Sequence, residues 1–541
     1  MTTLEKAFEQ IDRFAETRIR EANMPGMAIA ITNRDKVLRV ATFGYADVVS
    51  RAPIRENTMF EIGSIGKSFT NIALMKLRDE GRLDLRSPVS QYLPWFEVRS
   101  DYGPITTHHL MSHTSGLVTG TDVAPPGYYE PWALRESKTG APPGEYFRYS
   151  NIGYKTLGLL LETITGQPYQ DVIRARILDP LGMEDSHSVI GFDTRKRAAV
   201  GYRSFYDDRP EHRDHGIVPA MWSEYGAGDG CQASTAGDMA IYLRMLMNRG
   251  SGSTSRVISE ESFALMTQHV IQTPQWGGAF YGYGLTIAEV DGHDYLGHGG
   301  STPGFVSAII ADMTDGLGIV VLVNGYVGSY GAIGIATHAL QLLRAGLHGR
   351  EIPPSLPATD PSQLNNAADY AGRYNAGHDT LVLEAQGRRL LLGYGGRDIA
   401  LERRGDDSFY VRHPDLEHFL LEFGRDKGKV VEAFHGPAWY TGDGYVGPKG
   451  FDYPEEWERY TGHYRTQNPG LTNFRIVLCK GALLLVFPTG GKESLAPLDD
   501  GLFRIGEDPR CPETLRFDAV AGGRALRAVY SGCPYYRIAA P

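Results

Sequence analysis

The stretch EIGSIGKSFTNIAL, residues 61–74, allows two different interpretations of the chain. Its GKS triplet looks like the end of a phosphate-binding loop, whereas Ser64 and Lys67 form the Ser-x-x-Lys motif of serine acyl-transfer enzymes. A phosphate-binding loop needs a glycine at the position where this chain has Glu61. A carboxylate there repels phosphate and leaves the backbone nest unformed. The stretch therefore favours acyl transfer over nucleotide binding.

The spacing of the Ser-x-x-Lys motif suits a helix. On a helix that begins at Ser64, the serine and Lys67 lie on one face about one turn apart. A serine hydroxyl is a poor nucleophile until a neighbouring base takes its proton, and this lysine is placed to act as that base. The positive end of the helix dipole also favours negative charge developing at Ser64. The motif alone is weak, because a capping serine and a solvated lysine give the same letters.

Two further motifs support the interpretation of Ser64 and Lys67 as a catalytic pair. YSN at 149–151 precedes an apolar helical segment, and HGG at 298–300 opens a predicted strand. In this order, S-x-x-K, Y-x-N and H-x-G resemble the three motifs of the serine β-lactamase and penicillin-binding protein superfamily. The resemblance covers roughly residues 5–345 and extends to the supporting stretches HTSGL (113–117), PPGEYFRYSN (142–151), LDPLGMEDS (178–186) and STAGDMAIYL (234–243).

The resemblance implies a role for each catalytic residue. Ser64 is the expected nucleophile and forms an acyl-enzyme. Lys67 and Tyr149 are expected to share the general-base and general-acid work. Which of the two takes the serine proton stays open, because a lysine acts as a base only when its surroundings keep it neutral.

The same resemblance implies a set of substrate-binding residues. Asn151 is expected to hydrogen-bond the substrate's carbonyl or amide, and the backbone N–H of Ser301 completes an oxyanion hole with that of Ser64. Gly299 and Gly300 are expected where a substrate backbone needs close approach. His298 departs from the lysine of many relatives, and a mostly neutral histidine holds a carboxylate less firmly. H-x-G is similar to what the aminopeptidase, amidase and esterase branches use.

The order of predicted elements indicates a mixed α+β domain at the start of the chain. A helix and two strands begin it, a largely helical middle follows, and strands and a helix return before residue 348. This order suggests one antiparallel sheet built from both ends of the segment and flanked by a helical region. We therefore predict a β-lactamase- or transpeptidase-like catalytic domain over residues 1–348 and a proline-rich linker over 349–366.

Beyond the linker the sequence repeats itself. YAGRY at 370–374 returns as YTGHY at 460–464, and QGRRLLL at 386–392 returns as KGALLLV at 480–486, in each case about 90 residues later. Short alternating strands and frequent turns fill both copies. We therefore predict two small antiparallel β-barrels of the lipocalin-like kind, over residues 367–450 and 451–541, since closure leaves no open sheet edge.

The combination of H-x-G with two barrels is similar to the D-stereospecific aminopeptidases of the superfamily. In that group a loop of the last barrel enters the catalytic cleft and selects a free amino-terminal D-residue. The candidate here is the turn-rich segment 498–514, which holds Asp499, Asp500, Glu507 and Asp508. The alternative, that these are solvated turn carboxylates, stays open because the first copy has Asp406-Asp407 at the equivalent place.

Composition disfavours several other classes of protein. The chain of 541 residues has a net charge of -10, which gives no positive field for nucleic acid. It has no run of about 18 apolar residues and no export signal, so we expect no membrane span and a cytoplasmic location. Its four cysteines include no C-x-x-C and its histidines no H-E-x-x-H. We expect neither a metal nor an organic cofactor.

The sequence thus predicts a serine hydrolase of peptidase or amidase type that acts through an acyl-enzyme on small peptides or amino-acid amides, and D-stereospecificity is the branch's implication. Three alternatives use the same site: a carboxylesterase, a weak β-lactamase, and an acyl transferase or peptide cyclase. A non-enzymatic alternative is an inactive binding protein, which the retention of Ser64, Lys67, Tyr149 and Asn151 argues against. The expected partner is a small-molecule or peptide substrate, and homodimerisation is left open.

Overall fold

A computed structural model describes residues 3–120, 128–326, 331–354 and 360–539. The chain forms two compact units. The first comprises Met1–Arg203 and Ile217–Pro357, and the second comprises Ser204–Gly216 and Ala358–Pro541.

The first unit is built around an antiparallel sheet. Its strands are β1 (Gly26–Asn33), β2 (Val37–Asp47), β3 (Ala52–Pro53), β4 (Phe60–Glu61), β5 (Tyr202–Ser204), β6 (Ile217–Pro219), β7 (Ala233–Ser234), β8 (Ile271–Thr273), β9 (Ala279–Tyr281), β10 (Thr286–Val290), β11 (His293–Thr302), β12 (Phe305–Asp312) and β13 (Leu317–Val323). Among the described residues, nine of these form one sheet in the order β3-β2-β1-β13-β12-β11-β10-β9-β8, while β4 pairs with β7 and β5 with β6. The pairing of β1 with β13 joins the two ends of the segment.

Helices cover both faces of this sheet. They are α1 (Thr3–Ala22), α2 (Gly66–Asp79), α3 (Val89–Tyr92), α4 (Thr107–Met111), α5 (Tyr129–Ala133), α6 (Asn151–Thr165), α7 (Tyr169–Ile173), α8 (Asp179–Leu181), α9 (Phe192–Arg195), α10 (Ala236–Met247), α11 (Glu260–Met266) and α12 (Gly331–Leu347). A π-helical turn over Arg174–Leu178 joins α7 to α8, and 3-10 turns occur at Gly63–Ile65, Leu134–Glu136 and Pro274–Trp276.

Side-chain alternation along β1 divides the core into two layers. Ile29 and Ile31 point to the face covered by α1 and α12, whereas Ala28 and Ala30 point to the face covered by α2 and α10. All residues of β13 are buried, as expected for a strand with helices on both sides. Within the described residues, no helix combines the length and apolar character needed to cross a membrane.

The second unit contains two closed eight-stranded barrels. The first consists of β14 (Gly372–Ala376), β15 (Asp379–Gln386), β16 (Arg389–Tyr394), β17 (Arg397–Arg403), β18 (Ser408–Val411), β19 (Leu421–Asp426), β20 (Lys429–His435) and β21 (Ala438–Gly442). The second consists of β22 (Gly462–Arg465), β23 (Asn473–Cys479), β24 (Ala482–Val486), β25 (Lys492–Asp499), β26 (Leu502–Ile505), β27 (Thr514–Ala521), β28 (Arg524–Tyr530) and β29 (Cys533–Arg537). Single 3-10 turns at Ala367–Asp369 and Glu455–Tyr460 precede the barrels.

The duplicated motif makes the same contact in both barrels. The Tyr374 hydroxyl donates a hydrogen bond to the Tyr370 carbonyl at 2.9 Å, and the Tyr464 hydroxyl donates one to the Tyr460 carbonyl at 2.8 Å. All four tyrosines are buried in the barrel cores. The predicted fold class, a β-lactamase-like α+β domain followed by two antiparallel barrels, is confirmed.

One stretch from the middle of the chain belongs to the barrel unit. Within 204–216, the Asp207 carboxylate lies 2.6 Å from the Arg465 guanidinium, and His212 Nε2 lies 3.1 Å from a Glu402 carboxylate oxygen. The predicted catalytic domain over 1–348 includes this stretch, whose grouping with the barrels was not anticipated. Of the predicted linker 349–366, residues 355–359 lie outside the described residues.

The predicted specificity segment 498–514 contains the end of β25, all of β26 and the loop that follows. Two of its four named carboxylates already have cationic partners within the barrel unit: Asp500 lies 2.8 Å from Arg459, and Asp508 lies 2.8 Å from Arg510. Its proposed entry into a catalytic cleft stays a prediction.

Candidate active site

Ser64 lies in a tight connection between strand and helix. The short strand β4 ends at Glu61, the 3-10 turn Gly63–Ile65 follows, and α2 begins at Gly66. The sequence predicts a helix that begins at Ser64, but Ser64 lies in the 3-10 turn and α2 begins two residues later. Gly63 has a φ of 52°, and a Cβ there would lie 2.6 Å from the Ser301 backbone nitrogen. Only glycine suits this conformation and this close approach.

Lys67 is directed at the nucleophile from inside the protein. It is fully buried, and its Nζ lies 2.9 Å from Ser64 Oγ and 2.6 Å from the backbone carbonyl oxygen of Asp229. The same Nζ stands 4.8 Å from the centre of the Tyr149 ring and 5.5 Å from that of Tyr154. The structure therefore brings Ser64, Lys67 and Tyr149 together, as the resemblance implied.

The loop that supplies the Asp229 carbonyl was missed by sequence reasoning. Its Gly230 has a φ of 147°, and a Cβ there would lie 2.5 Å from the Gly63 carbonyl oxygen. The neighbouring Gly228 carbonyl accepts a hydrogen bond from Thr70 of α2 at 2.6 Å. The available signal was the spacing of glycines in GAGDG, residues 226–230, which marks close approach of two backbones.

The Tyr-Ser-Asn motif forms the beginning of α6. Ser150 is the N-cap: its Oγ accepts a hydrogen bond from the Gly153 N–H at 3.1 Å. The same hydroxyl donates to the Val118 carbonyl at 2.7 Å, and the Asn151 N–H donates to the Thr119 carbonyl at 2.8 Å. These bonds fix Tyr149 and Asn151 on either side of the cap.

His113 supports Tyr149 from behind. Its Nδ1 accepts a hydrogen bond from the Ser150 N–H at 3.0 Å, and its ring centre lies 4.2 Å from that of Tyr149. Burial lowers the pKa of His113 well below its ordinary value. His113 is therefore a neutral residue that positions Tyr149.

Strand β11 carries the third motif along the site. His298 is buried, and its Nε2 lies 3.0 Å from the Tyr281 hydroxyl. Burial lowers the pKa of His298 to about 4, against an opposing hydrogen bond with the Gly299 carbonyl. At neutral pH the residue is uncharged, as expected for a histidine in place of lysine. Ser301 is exposed two residues after Gly299.

The two glycines of the motif pack against opposite neighbours. A Cβ at Gly300 would lie 2.9 Å from the carbonyl carbon of Ile62, and closer to its oxygen. That oxygen also accepts a hydrogen bond from Ser307 Oγ at 2.8 Å. A Cβ at Gly299 would instead meet the end of the Ile333 side chain at 3.2 Å. Gly300 thus lets β11 approach the turn before Ser64, while the predicted substrate contacts of both glycines stay predictions.

Glu61 is a buried acid beside the same turn. Burial raises its pKa to about 7, and a hydrogen bond with the Thr302 side chain opposes the rise. The exclusion of a phosphate-binding loop from the sequence relied on the charge of Glu61, whereas in the folded protein this carboxyl stays largely neutral below about pH 7.

An exposed tryptophan that sequence reasoning did not identify adjoins Tyr149. Trp276 is 41% exposed, and its ring centre lies 5.8 Å from Tyr149, 5.2 Å from Phe147 and 6.0 Å from Tyr281. An exposed tryptophan supported by buried rings offers a rigid apolar surface. No motif marks it, because it comes from the connection between β8 and β9.

One family model and several known proteins are similar to this chain. A family model described as Beta-lactamase matches residues 11–343. Penicillin-binding protein 4 of Amycolatopsis lactamdurans is 28% identical over 377 residues, which cover 67% of this chain and 96% of that protein. The octameric penicillin-binding protein homologue from Pyrococcus abyssi aligns with 80% of this chain and 99% of its own, at a TM-score of 0.57 and 28% identity. EstCE1, a hydrolase with promiscuous acyltransferase activity, covers 64% of this chain and 99% of its own at a TM-score of 0.53, and its 20% identity speaks for the fold alone.

Proposed function

The chain belongs to the β-lactamase family, and from this premise we propose that it is an aminopeptidase or amidase that hydrolyses small peptides or amino-acid amides through an acyl-enzyme on Ser64. Its broader class is that of the serine hydrolases of the β-lactamase and penicillin-binding protein superfamily. The observation that carries the proposal is the 2.9 Å approach of the buried Lys67 Nζ to Ser64 Oγ.

Acylation begins with the proton of Ser64. In the resting site Lys67 Nζ donates hydrogen bonds to the Asp229 carbonyl and to Ser64 Oγ, and after losing a proton the same nitrogen accepts the serine proton through its lone pair. As that proton leaves, Ser64 Oγ forms a bond to the substrate carbonyl carbon. The backbone N–H groups of Ser64 and Ser301 stabilise the oxyanion that results. Tyr149 is the other candidate for this proton transfer, and the same pair supplies a proton to the departing amine.

Deacylation repeats the sequence with water as the nucleophile. Water loses a proton to the Lys67 and Tyr149 pair and attacks the ester carbonyl, and the bond to Ser64 Oγ then breaks. The serine oxygen recovers a proton, and a carboxylic acid is released. If an amine took the place of water, the same steps would transfer the acyl group.

The charges around the site support a neutral substrate group. The third motif offers the uncharged His298 in place of a fixed cation, so a substrate carboxylate gains little there. Trp276 supports an apolar side chain close to Tyr149. We therefore favour amides and peptides of apolar amino acids. The D-preference, like the role of segment 498–514, rests on the resemblance to D-stereospecific aminopeptidases.

A carboxylesterase is the second candidate function. It is favoured by the same neutral His298, because an ester needs no charged anchor and its alkoxide leaves with less acid assistance than an amine. The weak β-lactamase and the acyl transferase or peptide cyclase remain alternatives on the same site. The Pyrococcus abyssi homologue is octameric, which supports testing this chain for self-association. The cytoplasmic location of this chain stays a prediction.

One panel of substrates tests the proposal. Purified protein is incubated with D- and L-aminoacyl p-nitroanilides of alanine, leucine and phenylalanine, their N-acetylated forms, p-nitrophenyl esters and a chromogenic cephalosporin. We expect turnover of aminoacyl amides with a free amine, and its loss in Ser64→Ala. The exposed Ser253→Ala serves as the matched control and should behave as the wild type.

The outcomes separate the candidates. Cleavage of esters alone would favour the esterase, and faster cleavage of the N-acetylated amides would favour an amidase over an aminopeptidase. Mass spectrometry should find a covalent adduct on the Ser64 peptide after a short incubation with substrate or with a β-lactam. If the wild type turns over nothing and forms no adduct, the hydrolase assignment fails and the inactive binding protein gains support.

A further inference from the structure

Four potential metal ligands converge at the end of β11 that lies away from the third motif. His293 begins β11, Asp312 ends β12, Asp315 lies in the turn before β13, and His348 follows α12. His293 Nδ1 is 2.9 Å from an Asp312 carboxylate oxygen and 3.8 Å from one of Asp315. The same Asp315 oxygen lies 2.8 Å from His348 Nε2. The donor atoms of His293, Asp312 and Asp315 all lie within 4.8 Å of one another.

The two carboxylates are held in place before any ligand arrives. The Asp312 side chain is completely buried, and its other oxygen accepts hydrogen bonds from the Thr314 and Asp315 N–H groups at 3.0 and 2.9 Å. Such bonds orient a carboxylate without occupying the oxygen that faces His293. Asp315 is 14% exposed and His293 15% exposed, which leaves the cluster a narrow path to solvent.

The separations of 2.9 and 2.8 Å are also those of hydrogen-bonded ion pairs, and the convergence of three donor atoms within 4.8 Å is what sets this cluster apart. A tetrahedral zinc ion with bonds of about 2.0 to 2.1 Å places neighbouring ligands about 3.3 Å apart, and the observed separations lie on both sides of that value. Two neutral imidazoles and two carboxylates carry a formal charge that matches a dication. Imidazole nitrogens in the set favour zinc over calcium or magnesium, which prefer oxygen ligands throughout.

We propose that His293, Asp312 and Asp315 form a zinc-type metal site, and that the exposed His348, which contacts Asp315, turns inward as its fourth ligand. The site is structural. About five residues of extended strand separate His293 from His298, which is roughly 16 Å, so the metal takes no part in chemistry at Ser64. Its effect is to join the C-terminal end of α12 to the turn between β12 and β13.

The test uses the full-length protein without a histidine tag, dialysed against EDTA and then against metal-free buffer. Zinc chloride is titrated in by calorimetry, and the melting temperature is followed in parallel. We expect one equivalent of Zn²⁺ to bind with a dissociation constant in the micromolar range or below, and the melting temperature to rise by several degrees. Ca²⁺ and Mg²⁺ at the same concentration should produce neither effect.

Two ligand variants and one control variant test whether zinc binds at this cluster. His348→Ala and Asp315→Asn should each weaken zinc binding by roughly 100-fold and remove the rise in melting temperature. Asp291→Asn, an exposed residue in the turn between β10 and β11, should bind zinc as the wild type does. His348 is exposed after the last helix of the unit, so its replacement should leave the fold intact.

The proposal fails if zinc does not bind, or if His348→Ala and Asp315→Asn bind it as tightly as the control. The hydrolase assignment has a separate readout. Turnover by Ser64 should persist in the zinc-free protein at a temperature below its melting transition, so failure of one proposal leaves the other in place.

Discussion

Replacing Gly300 by alanine tests whether β11 completes an oxyanion hole with Ser64. A Cβ at this position would lie 2.9 Å from the Ile62 carbonyl carbon and closer to its oxygen, and that carbonyl is held by Ser307 and by the chain that leads to Ser64. Ordinary contact requires a retreat of β11 by about 1 Å, because neither backbone can rotate out of the way as a side chain can. The Ser301 N–H moves with the strand.

A displacement of about 1 Å at an oxyanion donor is large on the scale of catalysis. Loss of one such donor lowers kcat by about 10²- to 10³-fold, equivalent to about 2.7 to 4 kcal/mol of transition-state stabilisation. We therefore expect Gly300→Ala to lose about 100-fold or more in kcat on the best substrate of the panel. KM should change little, since the substrate carbonyl is only weakly bonded in the ground state.

The neighbouring glycine provides the control. A Cβ at Gly299 meets the flexible end of the Ile333 side chain at 3.2 Å, so Gly299→Ala should fold without moving β11 and keep its kcat, with a rise in KM if Gly299 makes its predicted substrate contact. Steady-state kinetics and melting temperatures of both variants are compared with the wild type. If Gly300→Ala folds with a normal melting temperature and keeps kcat within about threefold, the backbone of β11 is not the donor that we assign.

Four further predictions concern single side chains. Lys67→Met should lower kcat/KM by about 10²- to 10⁴-fold, because it removes the proposed base. It should have little effect on folding, because an apolar side chain of similar length fills the same buried space. Persistent activity in steady-state kinetics would contradict the assignment of Lys67 as a base. Because His298 has a pKa of about 4 in the folded protein against an ordinary value of 6.5, its contribution to stability is present above about pH 6.5 and falls by about 2 kcal/mol between pH 7 and pH 5. His298→Asn should therefore show a smaller drop in melting temperature over that range, and an unchanged drop would refute the burial argument. Because Glu61 has a pKa of about 7 against an ordinary value of 4.5, stability is greatest below pH 4.5 and falls by about 3 kcal/mol as the pH rises to 7, so Glu61→Gln should raise the melting temperature at pH 8 and not at pH 4. Trp276→Ala should raise KM several-fold for the leucyl and phenylalanyl amides and leave the alanyl amide nearly unaffected; equal changes for all three would remove Trp276 from the substrate surface.

Contacts within one helical turn or one repeated motif could be predicted from the amino-acid sequence. Ser64 and Lys67 meet because three residues of helix place them together, and the short 3-10 turn before α2 does not disturb that spacing. The return of YAGRY as YTGHY likewise predicted a repeated structure. In each barrel the second tyrosine of the motif, Tyr374 or Tyr464, donates a hydrogen bond from its hydroxyl to the carbonyl of the first tyrosine.

Contacts made by backbone atoms could not be predicted in the same way. The carbonyl that holds Lys67 belongs to Asp229, but any residue at that position offers a carbonyl, so the letters do not mark it. Trp276 adjoins Tyr149 through a connection whose path depends on the whole sheet. The glycines at 226–230 gave a local sign, because the absence of Cβ atoms permits two backbones to approach closely.

The stretch 204–216 has a consequence for how this architecture can be inherited. Barrels attached after a single boundary could be exchanged between related genes by one recombination event. Here Asp207 and His212, encoded in the middle of the catalytic unit, meet Arg465 and Glu402 of the two barrels. A gene that received new barrels alone would lose both pairs at once. Exchange of the tail therefore requires matched exchange of a dozen or so residues upstream, so the two parts should have diverged together.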